Sequence, residues 1–371
     1  MFFPLGVLLA WIGIGHWLLY AAGITHTYSC LFHGLVQMQA FMMAFAVGFL
    51  LTALPRRTQA PPPSAAEMLV AVLALITTTA AAAAERWVLA ETAYGLVFLL
   101  LLQFALRRFL GQTAGRRPPA AFVLLPIGML HGLGGAALVA ASTVATAPAW
   151  TMSLGRLLVE QGVFLCFATG VGGLVLPLMA GAPPPPDLGS DRREVRKAVG
   201  YSIGGLLIFV SFLLEQLGWL RGGPLLRAAV VTLGLGVGSG AWRAPRKSGA
   251  HRRLVWLSVW LMPLGLIASA LWPDYRVPAL HILFIGGFGL MAFAVATHVV
   301  LAHLNLEQLA LGRPAAVVIL GIAFLLALCA RLAADMSDTY FDHLGWAAAI
   351  WLVGSAVWLA FLGPKLLQPS K

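Results

Sequence analysis

Twelve uninterrupted apolar runs, each long enough to cross about 30 Å of hydrocarbon, dominate this chain and decide what it can fold into. They cover roughly residues 2–25, 30–54, 65–84, 88–110, 120–145, 151–181, 195–217, 223–242, 252–272, 277–303, 314–334 and 341–362. Water could not solvate that surface: 60% of the residues are hydrophobic, 10% are charged, and mean hydropathy is +0.89. Only helices or closed barrels satisfy their backbone inside a bilayer, and runs of this length are helical. The expected fold class is an all-α integral membrane protein, a bundle of twelve transmembrane helices.

Arginine and lysine placement gives the expected orientation. With the N-terminus inside, five inner loops and the C-terminal tail hold most of the basic residues, leaving Arg86, Arg156, Arg221, Arg227, Arg276 and Arg331 outside. Both termini are then cytoplasmic, in the inner membrane of a bacterium. The same distribution accounts for the net charge of +11 without a nucleic-acid partner; the lipid bilayer is the expected surrounding. The first run lacks a basic lead-in and a small-residue cleavage site, and reads as a retained helix. Proline-rich turns near 60–64 and 182–190 lie on the cytoplasmic side. With short connections throughout, residues 1–371 read as a single transmembrane domain.

A repeat stands out within this pattern. "HGLVQMQAFMMAFAV" begins at His33 and "HILFIGGFGLMAFAV" at His281, so each histidine precedes the same five residues, MAFAV, by the same interval. The helices are the second and the tenth, hence parallel. The two imidazoles sit at nearly equal depth, roughly 5 Å inside the outer boundary at 1.5 Å per residue. An ionisable group within the membrane is costly and is a functional candidate by default. Two imidazoles at one level could hold a b-type haem as axial ligands. Gln37, one turn deeper, could orient a ligand or propionate, and Gly286, Gly287 and Gly289 would let a flat macrocycle approach the backbone. The plainer reading makes both residues interface-level histidines near helix ends, where water is close.

Helix six, the remaining member of an every-fourth-helix series, has no histidine but carries Glu160, with Arg156 one turn earlier. This suggests three four-helix units around a pseudo-threefold axis. The Arg156–Glu160 pair is read as mutual neutralisation, as a proton relay, or with Glu160 as a carboxylate bonding a ligand histidine. His16 and His131 lie deeper and could serve a second metal such as copper, or be core histidines bonded to backbone carbonyls. His298 and His303 point about 140° apart on an ideal helix and cannot readily chelate one ion. His26, His251 and His343 are expected to be solvated. Cys30, Cys166 and Cys329 form no CxxC, which leaves no disulfide framework and no covalent haem site.

Two stretches resemble the NnrS family of haem- and copper-containing bacterial membrane proteins linked to nitric oxide. "GFLLTALPRRT" at 48–58 looks like the end of the family's second-helix motif, with His33 at the place of its first histidine. "ALHILFIGGFGLMAFAVATHVVLAH" at 279–303 looks like the other hallmark, closing on His303. The resemblance implies haem, copper, a haem-dependent oxidoreductase or electron-transfer role, and nitric oxide or an electron donor as partner. It also implies His303 as a candidate for the second metal. The chain departs from the family pattern at Leu35 and Val36, where a histidine and a glutamate are usual, and at His298, where an arginine is expected. The competing expectation from another class is a secondary transporter with Glu160 as a buried proton site and no haem.

Overall fold

The computed structural model describes residues 1–109, 115–144 and 146–366; the expected span ends at Leu110 and Ala145, and the basic Lys371, lie outside them. Among the described residues eleven helices are long and apolar enough to cross a membrane: α1 (Phe2–Ala21), α2 (Cys30–Thr58), α3 (Ala65–Ala83), α4 (Trp87–Phe109), α5 (Ala120–Ala141), α6 (Ala149–Ala180), α7 (Arg192–Gln216), α9 (Ala250–Leu271), α10 (Pro273–His303), α11 (Glu307–Ala334) and α12 (Tyr340–Leu366). The crossing part of α11 is Ala315–Ala334, after a short turn of helix at Glu307–Leu311. Between α7 and α9 lies α8 (Gly222–Gly238), apolar but shorter than the expected 223–242. Its end is drawn in by a π-helical segment over Thr232–Gly238 and a turn closed by Gly240. No strand occurs among the described residues, only an isolated bridge between Pro119 and Asp187.

The helices start where side chains can satisfy the orphaned amides of a first turn. Ser29 accepts from the Phe32 amide ahead of α2, and Asp191 from the Glu194 amide ahead of α7. Ser64 and Glu67 form a reciprocal capping box at α3, closing the first proline-rich turn.

Burial sorts the bundle into layers. In α2, α6 and α10 between 72% and 83% of the most apolar window is buried, against 33–56% in the other spans. These three form the middle. Their neighbours close a ring, with α1 packed on α12, α4 on α5 and α8 on α9. Each inner helix is thus embraced by three others, in chain order α1–α4, α5–α8 and α9–α12. One hydrophobic core runs from Phe2 in α1 to Leu362 in α12. Indole N–H groups inside it find hydroxyl acceptors, Trp358 on Thr297 (2.8 Å) and Trp11 on Ser355 (2.8 Å), so that large rings stitch α12 to α10 and α1 without orphaned donors. Where α5 and α6 touch, only glycine fits: a Cβ on Gly135 would stand 2.9 Å from the Gly155 carbonyl oxygen.

All three inner helices are interrupted by π-helical turns, at Gln37–Met42, Leu158–Gly162 and Ile282–Gly289. Such turns inside long helices frequently mark functional positions. Further along, Met42, Phe45, Phe164, Phe288, Met291 and Val295 line an apolar cavity of about 90 Å³ between the three helices.

The opposite end of the bundle is where arginines hold the proline-rich turns. Arg108 donates to the carbonyls of Pro61 and Pro62 (2.8 Å each) and pairs with Glu67. Arg57 donates to the Pro185 carbonyl (2.7 Å) and pairs with Asp187, as does Arg116. Burial alone would raise the Asp187 carboxyl, but hydrogen bonds from Arg116 and Arg57 hold it below its ordinary value. A lowered folded-state value means that the clamp contributes fully at neutral pH and is lost as the pH falls below about 3.9 and through the folded value. The melting temperatures of wild type and Asp187→Asn in detergent are therefore expected to differ at pH 7 and converge in acid. A constant difference across that range would show that the ionised carboxylate contributes nothing.

Candidate functional site

His33 and His281 both flank π-helical turns. His33 lies four residues before the one in α2, and His281 immediately before the one in α10. The Nδ1 of His33 is 2.8 Å from the Gly13 carbonyl oxygen of α1, and the Nδ1 of His281 is 2.8 Å from the Val277 carbonyl oxygen one turn back. A carbonyl can only accept, so both rings carry their proton on Nδ1. Neither Nε2 makes a hydrogen bond to any described residue. That tautomer leaves Nε2 as an acceptor, the state in which an imidazole can ligate a metal. The rings lie within electrostatic reach of each other and of the Arg331 guanidinium from α11. Both are half-buried. In this upper part α2 packs on α6, whereas its close contact with α10 comes lower down, beyond Met43 and Leu290. The backbones of the two histidine-bearing segments are therefore not in close contact at the level of their rings.

His16 shares the carbonyl that holds His33. Its Nδ1 is 3.0 Å from the Gly13 oxygen, the two rings are 5.9 Å apart, and its Nε2 is buried without a partner. Gln37 is committed elsewhere, donating to the Ala10 carbonyl (3.0 Å) and so pinning α2 to α1. Gly286 and Gly287 face α9: added Cβ atoms would stand 2.8 Å from Leu261 and 2.7 Å from Met262. Gly289 lies against Phe324 of α11. The glycines thus allow close helix packing behind His281.

The other candidates for a second metal do not join His16. His131 packs in α5 beside Cys166 (3.8 Å), Phe209 and Phe212, while His303 ends α10 at the opposite end of the bundle, near Arg56. Among the described residues no three of His, Cys, Asp and Glu cluster together. His298 and His303 do diverge, but His251 is not solvated. It is buried, with Nε2 3.2 Å from the His298 Nδ1 and the rings stacked. Its place two residues into α9 suggested an exposed end, and only the packing of α10 covers it.

Glu160 sits within the π-helical turn of α6 and accepts from Arg156 (2.8 Å). It borders the histidine site, since a Cβ on Gly34, next to His33, would meet its Oε1 at 3.0 Å. Serving as a proton carrier would require breaking that ion pair. Glu160 is also within electrostatic reach of Arg276, which pairs with Glu215 of α7, and Glu215 pairs in turn with the fully buried Arg227 of α8 (2.5 Å). Arg331 likewise pairs with Asp335. Arg227 and Arg276 thus share the Glu215 carboxylate, while Arg331 and Asp335 form a separate pair one turn apart. The one available signal was that acidic residues, Glu215 and Asp335, occur at the same end of their helices.

A sequence model of the family described as "NnrS protein" matches residues 1–370. No curated protein and no solved structure matches the chain.

Proposed function

We propose, for a chain that belongs to the NnrS family over essentially its whole length, that His33 and His281 hold one b-type haem and that the protein serves nitric oxide metabolism or tolerance in a bacterial inner membrane. The observation that carries this reading is the matched pair of Nδ1-anchored imidazoles, each with an unpartnered Nε2. A haem held there would supply one-electron redox chemistry next to a gas-permeable membrane. The carbonyls of Gly13 and Val277 hold the tautomer, and Arg331 supplies positive charge beside both rings, suited to the anionic propionates of a porphyrin. With both histidines engaged as ligands no position is left for a gas, which favours electron transfer over direct capture of nitric oxide.

The test is the absorption spectrum and iron content of protein purified from cells supplied with haem. A Soret band, about one haem per chain, and a low-spin six-coordinate spectrum are expected. A colourless, iron-free protein would end the proposal and leave the nitric oxide role on family membership alone.

A further inference from the structure

Glu91 of α4 is 2% exposed, in the interior of the bundle, and has no cation beside it. This sets it apart from Glu67, Glu160 and Glu215, each of which meets an arginine. Its two carboxyl oxygens touch one polar group, the side-chain nitrogen of Gln39 in α2, at 2.8 and 2.7 Å. Tyr94, one turn further along α4, is the other titratable neighbour, and no charged side chain of α2, α3 or α5 acts on Glu91 among the described residues.

The amide brings a second observation. Gln39 is 1% exposed, and its oxygen has no hydrogen-bond donor. An unmet acceptor in hydrocarbon is costly, and an unpaired carboxylate there is costlier still. One proton settles both. If Glu91 is a carboxylic acid, a small rotation of the amide about its last torsion closes a cyclic acid–amide pair. The acid O–H donates to the orphaned amide oxygen, and an amide N–H donates to the acid carbonyl. That oxygen makes no hydrogen bond to any described residue, and the neighbouring Tyr94 hydroxyl is likewise without a partner.

We infer that Glu91 and Gln39 form a membrane-buried proton-binding site, in which Glu91 holds a proton at neutral pH as a cyclic acid–amide pair. The inference does not depend on haem. Gln39 lies six residues beyond His33 on the same inner helix, roughly 9 Å deeper, so the site places an exchangeable proton alongside whatever chemistry the histidines perform.

Infrared spectroscopy of the full chain in lipid, with and without ¹³C-labelled glutamate, reads this directly. Wild type at pH 7 is expected to show a carboxylic acid C=O band that moves on labelling and on transfer to D₂O. The band should be lost in Glu91→Gln and should move to higher frequency in Gln39→Leu, where the acid loses its partner. It should persist in Glu160→Gln. Absence of any label-sensitive acid band in wild type would overturn the site, and that result needs no variant to fold. A band that survives unchanged in Glu91→Gln and Gln39→Leu would overturn it as well.

Discussion

Replacing His33 or His281 by alanine is expected to remove nearly all haem from the purified protein, with helix content and elution volume unchanged. Each ring spends one nitrogen on a backbone carbonyl and has only the other to offer, so neither can be replaced by a rotated neighbour. Disturbing a group that merely orients a ligand usually costs about 10–100-fold in metal affinity, and deleting the ligand should cost more. His16→Ala is the control. It shares the Gly13 carbonyl with His33 but leaves the His33 bond in place, so the spectrum should be retained. Haem content measured by absorbance and by iron, on the three variants side by side, decides the matter. Equal loading in His33→Ala, His281→Ala and wild type would show that the imidazoles are structural.

The largest stability effect is expected at Glu215. Its carboxylate lies between Arg227, fully buried, and Arg276, while Arg227 also donates to Ser211 (3.3 Å) and sits over the Phe212 ring at 4.5 Å. Glu215→Ala strands two guanidinium groups between α7, α8 and α10. Breaking one side of a buried pair costs about 3–5 kcal/mol, mostly because the surviving charge has nowhere to go. Removing both charges is different in kind, because apolar side chains of similar volume can replace a buried pair at little cost. The double variant Glu215→Leu, Arg227→Met should therefore recover the part of the loss that Arg227 carries, while the partly exposed Arg276 stays without its partner. Unfolding midpoints in one detergent, together with the monodisperse fraction, give the comparison. A Glu215→Ala protein as stable as wild type would mean that water or lipid headgroups reach Arg227.

The helices were legible because hydropathy along a chain is a local property and the bilayer imposes one length on every span. The shortened α8 escaped, since a π-helical end and a tight turn cost no hydrophobicity. The buried charges were legible only as exceptions. Arg227 and Arg331 read as residues of one membrane face, when packing had in fact paired them with Glu215 and Asp335. Glu91 drew no notice because nothing in "ETAY" shows that Gln39 of another helix would close over it. His251 read as solvated for a similar reason.

Sequence alone determined that this chain is a bundle of membrane helices and that His33 and His281 stand at matching offsets before the same five residues in the second and tenth of them. Each of these follows from the order and spacing of residues within a helix. Tertiary structure decided which nitrogen each imidazole presents, which glycines serve packing, and which carboxylate lacks a cation. Those outcomes depend on atoms supplied by other helices, the Gly13 carbonyl, the Met262 side chain and the Gln39 amide, and the chain's own order does not say which helices will meet.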